Sequence, residues 1–204
     1  MRAPRIAKGV PLRYPTSVPV RALIFDCDGT LADSMPAHFV AWTDALRPHG
    51  LAFPEERFYA CAGMSTQQII ELLAREQGRS VDTVAIARDK DEQFMRHVDR
   101  VRPLEPVVAI AREFRGRGPM AVATGNVRRL AEATLEALGI QSWFGALVTA
   151  DDVDDHKPAP DTFLEAARRL GVQPQDCRVY EDGEPGLLAG RAAGMEVVDV
   201  RPWL

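Results

Sequence analysis

Four short polar clusters stand out in the chain: Asp26-Cys27-Asp28-Gly29-Thr30, Thr124-Gly125-Asn126, Lys157-Pro158 and Glu181-Asp182-Gly183. Asp26 and Asp28 are two residues apart, so on extended chain their carboxylates share a face. Like charges that close resist joint ionisation unless a cation joins them. Asp182 adds a third carboxylate, and the set suits a hard divalent ion. Magnesium is the natural choice, because it prefers oxygen ligands, keeps several waters and is commonly held by one or two carboxylates together with a substrate phosphate. Zinc would ask for a His and Cys ligand pattern that is absent here. The remaining pieces suit a phosphoryl group. The Thr124 hydroxyl and the Gly125 amide, expected at a helix N-terminus, are anion donors, and Lys157 is a point charge that binds phosphate and offsets the carboxylates. Of the 25 basic residues only Lys8, Lys90 and Lys157 are lysine, which makes a lysine beside these acids less of a chance surface charge.

Taken singly, each cluster has a plainer reading as a turn, a solvated loop or a helix-starting acidic pair. Their placement argues otherwise. The first cluster ends the apolar run Ala22-Leu23-Ile24-Phe25, the second ends Met120-Ala121-Val122-Ala123, the third follows Ala146-Leu147-Val148-Thr149 and the fourth ends Arg178-Val179-Tyr180. Glu196 to Val200 is a fifth candidate strand. Helical spacing fills the intervals at Val107 to Phe114, Leu130 to Leu138, Thr162 to Leu170 and Leu187 to Ala193, the last three closed by Gly139, Gly171 and Gly194. Alternating strand and helix predict a doubly wound, Rossmann-like α/β domain with a parallel sheet between helices. In such a sheet ligands bind outside the carboxyl ends of the strands, where all four clusters fall.

From about Ser34 to Arg102 the alternation stops and helical periodicity alone remains, which predicts a small helical domain inserted after the first strand. Prolines at Met35-Pro36 and Arg102-Pro103 mark its expected boundaries. The expected division is therefore a loosely ordered tail over 1–20, a core made of 21–34 and 103–204, and a helical insertion over 35–102. The tail carries Arg2, Arg5, Lys8 and Arg13 with no acid and four prolines. At 204 residues the chain is long enough for one good core, and its net charge of −4 lacks the basic footprint of a nucleic-acid binder. No stretch approaches the ~20 apolar residues that span a bilayer, and the N-terminus lacks the apolar region of a secretory signal. Cys27, Cys61 and Cys177 form neither a disulfide framework nor a metal pair. These features predict a cytoplasmic protein.

In order and residue type, Asp26-x-Asp28-Gly29-Thr30, Thr124-Gly125, Lys157-Pro158 and Glu181-Asp182 resemble the four signature motifs of the haloacid dehalogenase-like (HAD) hydrolase superfamily. The resemblance runs over roughly residues 20 to 204, and the helical insertion matches the family's small cap. Asp33-Ser34, His38, Trp42 and Lys157 to Asp161 look like the β-phosphoglucomutase-like group of sugar-phosphate phosphatases and mutases. The resemblance implies that Asp26 is a nucleophile forming an aspartyl-phosphate and that Asp28 is the acid and then the base. It further implies a magnesium ion on Asp26, the Asp28 main-chain carbonyl and Asp182, with Glu181 supporting through water. Thr124, Gly125 and Lys157 would hold the phosphoryl oxygens. The acid at Asp28 argues against the dehalogenase branch.

Substrate choice is expected in the cap. His38 matches a position that faces the site, against the plainer alternative of a solvent-facing helix histidine. In the Gly63-Met64-Ser65-Thr66 loop this chain has Thr66 where the mutases carry arginine. A mutase must hold a second phosphate, for which arginine is the natural clamp. Thr66 therefore favours a phosphatase for a small sugar phosphate over a mutase, and the cap loop looks most like the fructose-1-phosphate phosphatase type; the helical insertion and the Asp28-Gly29-Thr30 arrangement argue against a non-enzymatic phospho-acceptor module. Trp42 reads as cap core, Asn126 as either a substrate contact or a helix starter, and Asp151-Asp152 and Asp154-Asp155 as solvated loop or helix cap. The expected partner is a small phosphorylated metabolite, and with the site roofed by its own cap the chain is expected to be a monomer.

Overall fold

The run Ala22–Phe25 has no polar side chain and no exposed face. In the computed structural model, which describes residues 20–61 and 64–204, it is the central strand of a five-stranded parallel sheet. Chain order is β1 (Ala22–Phe25), a short β2 (Ala32–Asp33), helices α1 (Met35–Leu46), α2 (Glu55–Ala60), α3 (Thr66–Glu76) and α4 (Thr83–Met95), and a short β3 (Arg102–Pro103). Then follow α5 (Glu105–Phe114), β4 (Met120–Ala123), α6 (Arg128–Ala137), β5 (Ala146–Val148), α7 (Asp161–Leu170), β6 (Cys177–Glu181), α8 (Glu184–Ala192) and β7 (Glu196–Asp199). The sheet order is β5-β4-β1-β6-β7, with every pairing parallel.

Alternation along β1 sends its side chains to two layers. Ala22 and Ile24 meet Ala121, Phe163, Ala167 and Ala189 on the face covered by α7 and α8, while Leu23 and Phe25 meet Val107, Val108, Val122 and Leu130 under α5 and α6. Each large side chain buried this way contributes roughly 1.5–3 kcal/mol relative to exposure. Gly139, Gly171 and Gly194 take positive φ at the ends of α6, α7 and α8, the conformation their positions in the sequence predict.

Between β2 and β3 lie α1 to α4, with a hydrophobic cluster of their own built on Trp42, Leu46, Phe53, Phe58, Ile70, Leu73 and Ile86. Pro36 sits in the first turn of α1, where its missing N–H is no loss. β2 and β3, invisible to periodicity at two residues each, pair antiparallel through Ala32 with Pro103 and Asp33 with Arg102, clasping together the two chain crossings into the helical segment. Residues 1–19 of the tail expected over 1–20, like Gly63 of the cap loop, lie outside the described residues.

Candidate active site

Because β1 lies between β4 and β6, their carboxyl ends deliver Asp26, Thr124 and Glu181 to one place, and the Asp26 amide is tied to the Tyr180 carbonyl at 3.0 Å. Lys157 arrives from the loop after β5. Its side chain is fully buried, and Nζ donates to Asp26 Oδ1 at 2.8 Å, Glu181 Oε2 at 2.7 Å and the Ala123 carbonyl at 3.1 Å. Glu181 Oε1 accepts from the amides of Asp182 and Gly183. The Thr30 hydroxyl donates to Asp182 Oδ1 at 2.7 Å. Glycine is required beside these acids: a Cβ on Gly29, at φ +89°, would stand 2.3 Å from Asp182 Oδ2.

Asp28 points the other way, toward the helical segment. Its Oδ1 accepts from Ser34 Oγ at 2.6 Å and lies 3.0 Å from His38 Nε2, and its Oδ2 accepts from Asn126 Nδ2 at 2.9 Å. His38 is buried rather than solvent-facing, and its ring stacks on Phe94 with centroids 3.9 Å apart. Asn126 is accordingly a site contact, and the helix after it starts at Arg128 with Val127 as its N-cap. The helix begins two residues ahead of the Leu130 start that its periodicity predicts. Thr124, Gly125 and Asn126 form a loop ahead of α6, not its first turn, and the Arg128 amide at the helix start is already taken by Asp151 Oδ2 at 2.8 Å.

A cavity of about 60 Å³ covers Asp26 and Asp28, with Thr124, Gly125 and Asn126 below and Met35, His38, Trp42, Phe58, Met64 and Thr66 among its upper wall. Thr66 opens α3 behind a Ser65 capping box. Trp42 is 3% exposed and belongs to the helical core while also touching the cavity. One lining residue escapes the sequence motifs. Lys90, on α4, is 2% exposed, sits over the Trp42 and Phe94 rings and has a single long ion pair, 3.5 Å, to Asp91. Its signal in the sequence is its rarity among so many arginines.

Charge is unevenly balanced across the site. Burial and then the neighbouring Glu181 push Asp26 well above the usual carboxylate range, and Lys157 only partly offsets them. The same two causes push Asp182 up to about 7. Burial opposes the charge on Lys157, yet Asp26 and Glu181 more than compensate and raise it. Burial also works against ionised Asp28, but the His38 ring and hydrogen bonds from His38, Ser34 and Asn126 hold it well below its ordinary value. Asp26, Glu181 and Asp182 offer oxygens within 4.8 Å of one another. One ammonium faces three hard acids, a donor set that fits a divalent cation. The lone pairs of Glu181 are committed to Lys157 and two amides, which leaves Asp26 and Asp182 the freer oxygens.

A Rossmann-like parallel sheet whose strand ends gather an aspartate pair, a threonine, a buried lysine and a further acidic pair beside a helical segment defines an α/β protein with an aspartate-centred site. Residues 20–194 match the family model of haloacid dehalogenase-like hydrolases, and the chain belongs to that family. It is an enzyme, a phosphatase. It is 45% identical over 180 residues to the fructose-1-phosphate phosphatase YqaB of Escherichia coli, covering 88% of this chain and 95% of that one. Hexitol phosphatase A of the same organism is 35% identical, over 88% of this chain and 82% of its own. Among solved structures, the β-phosphoglucomutase of Clostridium difficile superposes with a TM-score of 0.82 over 88% of this chain and 84% of its own at 23% identity, which shows a shared fold. Among the described residues no helix is long and apolar enough to cross a membrane.

Proposed function

We propose that the chain is a magnesium-dependent phosphatase that hydrolyses a small sugar phosphate through an aspartyl-phosphate on Asp26. The observation that carries this reading is the division of labour between the two aspartates: Asp26 is bound to Lys157 and the acidic cluster, while Asp28 faces the cap side of the same cavity. Asp26 attacks phosphorus, and the oxygen of the sugar leaves with a proton from Asp28. Asp28 then takes a proton from water as that water displaces Asp26 from phosphorus. Thr124, Gly125 and Lys157 hold the phosphoryl oxygens, and His38, Ser34 and Asn126 orient Asp28. The magnesium ion would be held by Asp26, Asp182 and the Asp28 main-chain carbonyl, with Glu181 acting through water. When bound it offsets negative charge on the phosphoryl group.

The relatives named as sugar and hexitol phosphatases support a phosphorylated polyol or sugar as substrate. Thr66 and Lys90 are the cap's polar contacts for the leaving group beside His38, in a wall that also holds Met35, Trp42, Phe58 and Met64. Among the described residues lining the cavity none is arginine, which supports hydrolysis over a mutase needing a second phosphate clamp. The cavity lies between the strand-end loops and the helical segment, where movement of the cap would admit a substrate. In this reading 21–34 and 103–204 are the core, 35–102 is the cap, and the β2–β3 clasp is their hinge. We place the enzyme in the cytoplasm as a monomer, a reading supported by three unpaired buried cysteines and a site roofed by its own chain.

The test is phosphate release from fructose 1-phosphate, hexitol phosphates, β-glucose 1-phosphate, nucleotides and small esters, with magnesium or EDTA. The expected outcome is metal-dependent turnover highest on sugar or hexitol phosphates and lost in Asp26→Asn. Turnover unchanged in Asp26→Asn, or conversion of β-glucose 1-phosphate to glucose 6-phosphate, would overturn it.

A further inference from the structure

The Asp151–Asp152 pair lies outside the catalytic cluster, yet Asp152 is among the most heavily hydrogen-bonded acids of the chain. Its Oδ2 accepts from the Thr149 amide at 2.8 Å, the Thr149 hydroxyl at 2.7 Å and Arg128 Nη2 at 2.6 Å, and its Oδ1 accepts from Arg169 Nη2 at 2.8 Å. The same two arginines converge on the Leu147 carbonyl, from Arg169 at 2.9 Å and Arg128 at 3.3 Å. One carboxylate thus ties the turn after β5 to the start of α6 and to α7.

What that turn does next connects it to the site. The Val148 carbonyl accepts from the Thr124 amide at 2.9 Å, and the Ala150 amide donates to the Asn126 carbonyl at 2.9 Å. Both backbone hydrogen bonds run from the turn clamped by Asp152 into the loop that presents Thr124, Gly125 and Asn126. The other end of the turn leads through His156 to Lys157, and α7 begins directly behind it at Asp161. Two anion-binding arms that never touch one another through side chains therefore share one anchor. β5 is an edge strand, so no further strand holds this turn from outside, and the ion network takes that place.

We propose that Asp152 is a positioning residue, which through the Thr149–Asp152 turn sets the spacing between the Thr124–Asn126 loop and Lys157 and so the fit of the phosphoryl group. The proposal rests on the phosphatase reading above. A charge-neutral side chain at this position cannot accept from both arginines and from Thr149 together, since an amide offers one acceptor oxygen where the carboxylate offers two. The turn then shifts, and displacements of about 1 Å in a phosphoryl site cost up to about a hundredfold in rate.

The experiment compares wild type, Asp152→Asn, the milder Arg169→Gln, and Glu165→Gln, which touches the same arginine from its solvent side and leaves Asp152 alone. Each is assayed well below its own melting temperature for kcat and KM on the best ester, and for orthophosphate affinity by isothermal titration with magnesium present. The expected result is a fall in kcat/KM of about tenfold to a hundredfold in Asp152→Asn, a smaller one in Arg169→Gln, parallel weakening of orthophosphate, and no change in Glu165→Gln. If Asp152→Asn melts earlier yet keeps kcat, KM and phosphate affinity within twofold, the carboxylate is a staple and the proposal falls. If the wild type turns over no ester, the phosphatase reading falls, while the orthophosphate titration still decides the role of Asp152.

Discussion

His38 Nε2 stands 3.0 Å from the Asp28 carboxylate although one residue belongs to helix α1 and the other to the loop that follows β1. The contact forms where α1 packs against the loop after β1, so it joins the position of the helical segment to the ionisation of Asp28, the proposed acid and base. Removing the ring takes away a hydrogen-bond donor that helps hold Asp28 well below its usual pKa. In His38→Ala the Asp28 pKa is expected to rise, so the residue keeps the proton it gives to the leaving oxygen to higher pH and the alkaline limb of the kcat/KM profile moves up. The pH–rate profile of wild type and variant checks this.

Lys157 is expected to be irreplaceable for folding as well as for chemistry. Lys157→Met leaves Asp26 and Glu181 buried without their shared cation, and breaking a buried ion pair from one side costs about 3–5 kcal/mol. Chemical denaturation should show that loss, and phosphate release should fall to background.

Gly29→Ala addresses the metal site by space alone. Its Cβ would meet Asp182 Oδ2 at 2.3 Å in a backbone conformation that L-residues avoid, so Asp182 must turn away. The magnesium concentration for half-maximal activity is expected to rise by about tenfold or more, as read from a magnesium titration of turnover.

Asp182 makes metal-free stability depend on pH. Its folded-state pKa of about 7 lies above the ordinary carboxylate value, so its contribution is complete below the unfolded pKa near 4 and is lost as pH rises through 7. Without magnesium the protein should melt higher at pH 5.5 than at pH 8 by this contribution. Asp182→Asn should flatten that slope and gain roughly 2 kcal/mol at pH 8. Melting curves with EDTA at the two pH values test it, and added magnesium should raise the wild-type Tm more at pH 8 than at pH 5.5.

Lys90 gives the cap a buried cation with one long partner, and burial lowers its pKa. Lys90→Met keeps the length of the side chain and removes a desolvated charge, so the Tm is expected to hold or rise. If the ammonium serves the leaving group, kcat/KM on a sugar phosphate falls about tenfold while a small aryl phosphate is little affected. Paired assays on the two esters separate these outcomes.

The five sheet strands and the helices between them were legible because apolar runs, helical periodicity and stop glycines are local properties of the chain. The site motifs were legible for a related reason: in a parallel sheet, whatever follows each strand shares one end of the fold, so Asp26, Thr124, Lys157 and Glu181–Asp182 needed no distance information to be grouped. β2 and β3 were not, since two residues carry no period, and the pairing of Asp33 with Arg102 exists only once the helical segment has closed its loop. Sequence also named His38 without placing it, and counted Lys90 among three lysines without singling it out. An amphipathic helix states which of its faces is apolar, but which body that face meets is settled by packing between α1, α4 and the core. That packing turned a histidine with two readings into the partner of Asp28, and a scarce lysine into the cation of the cap.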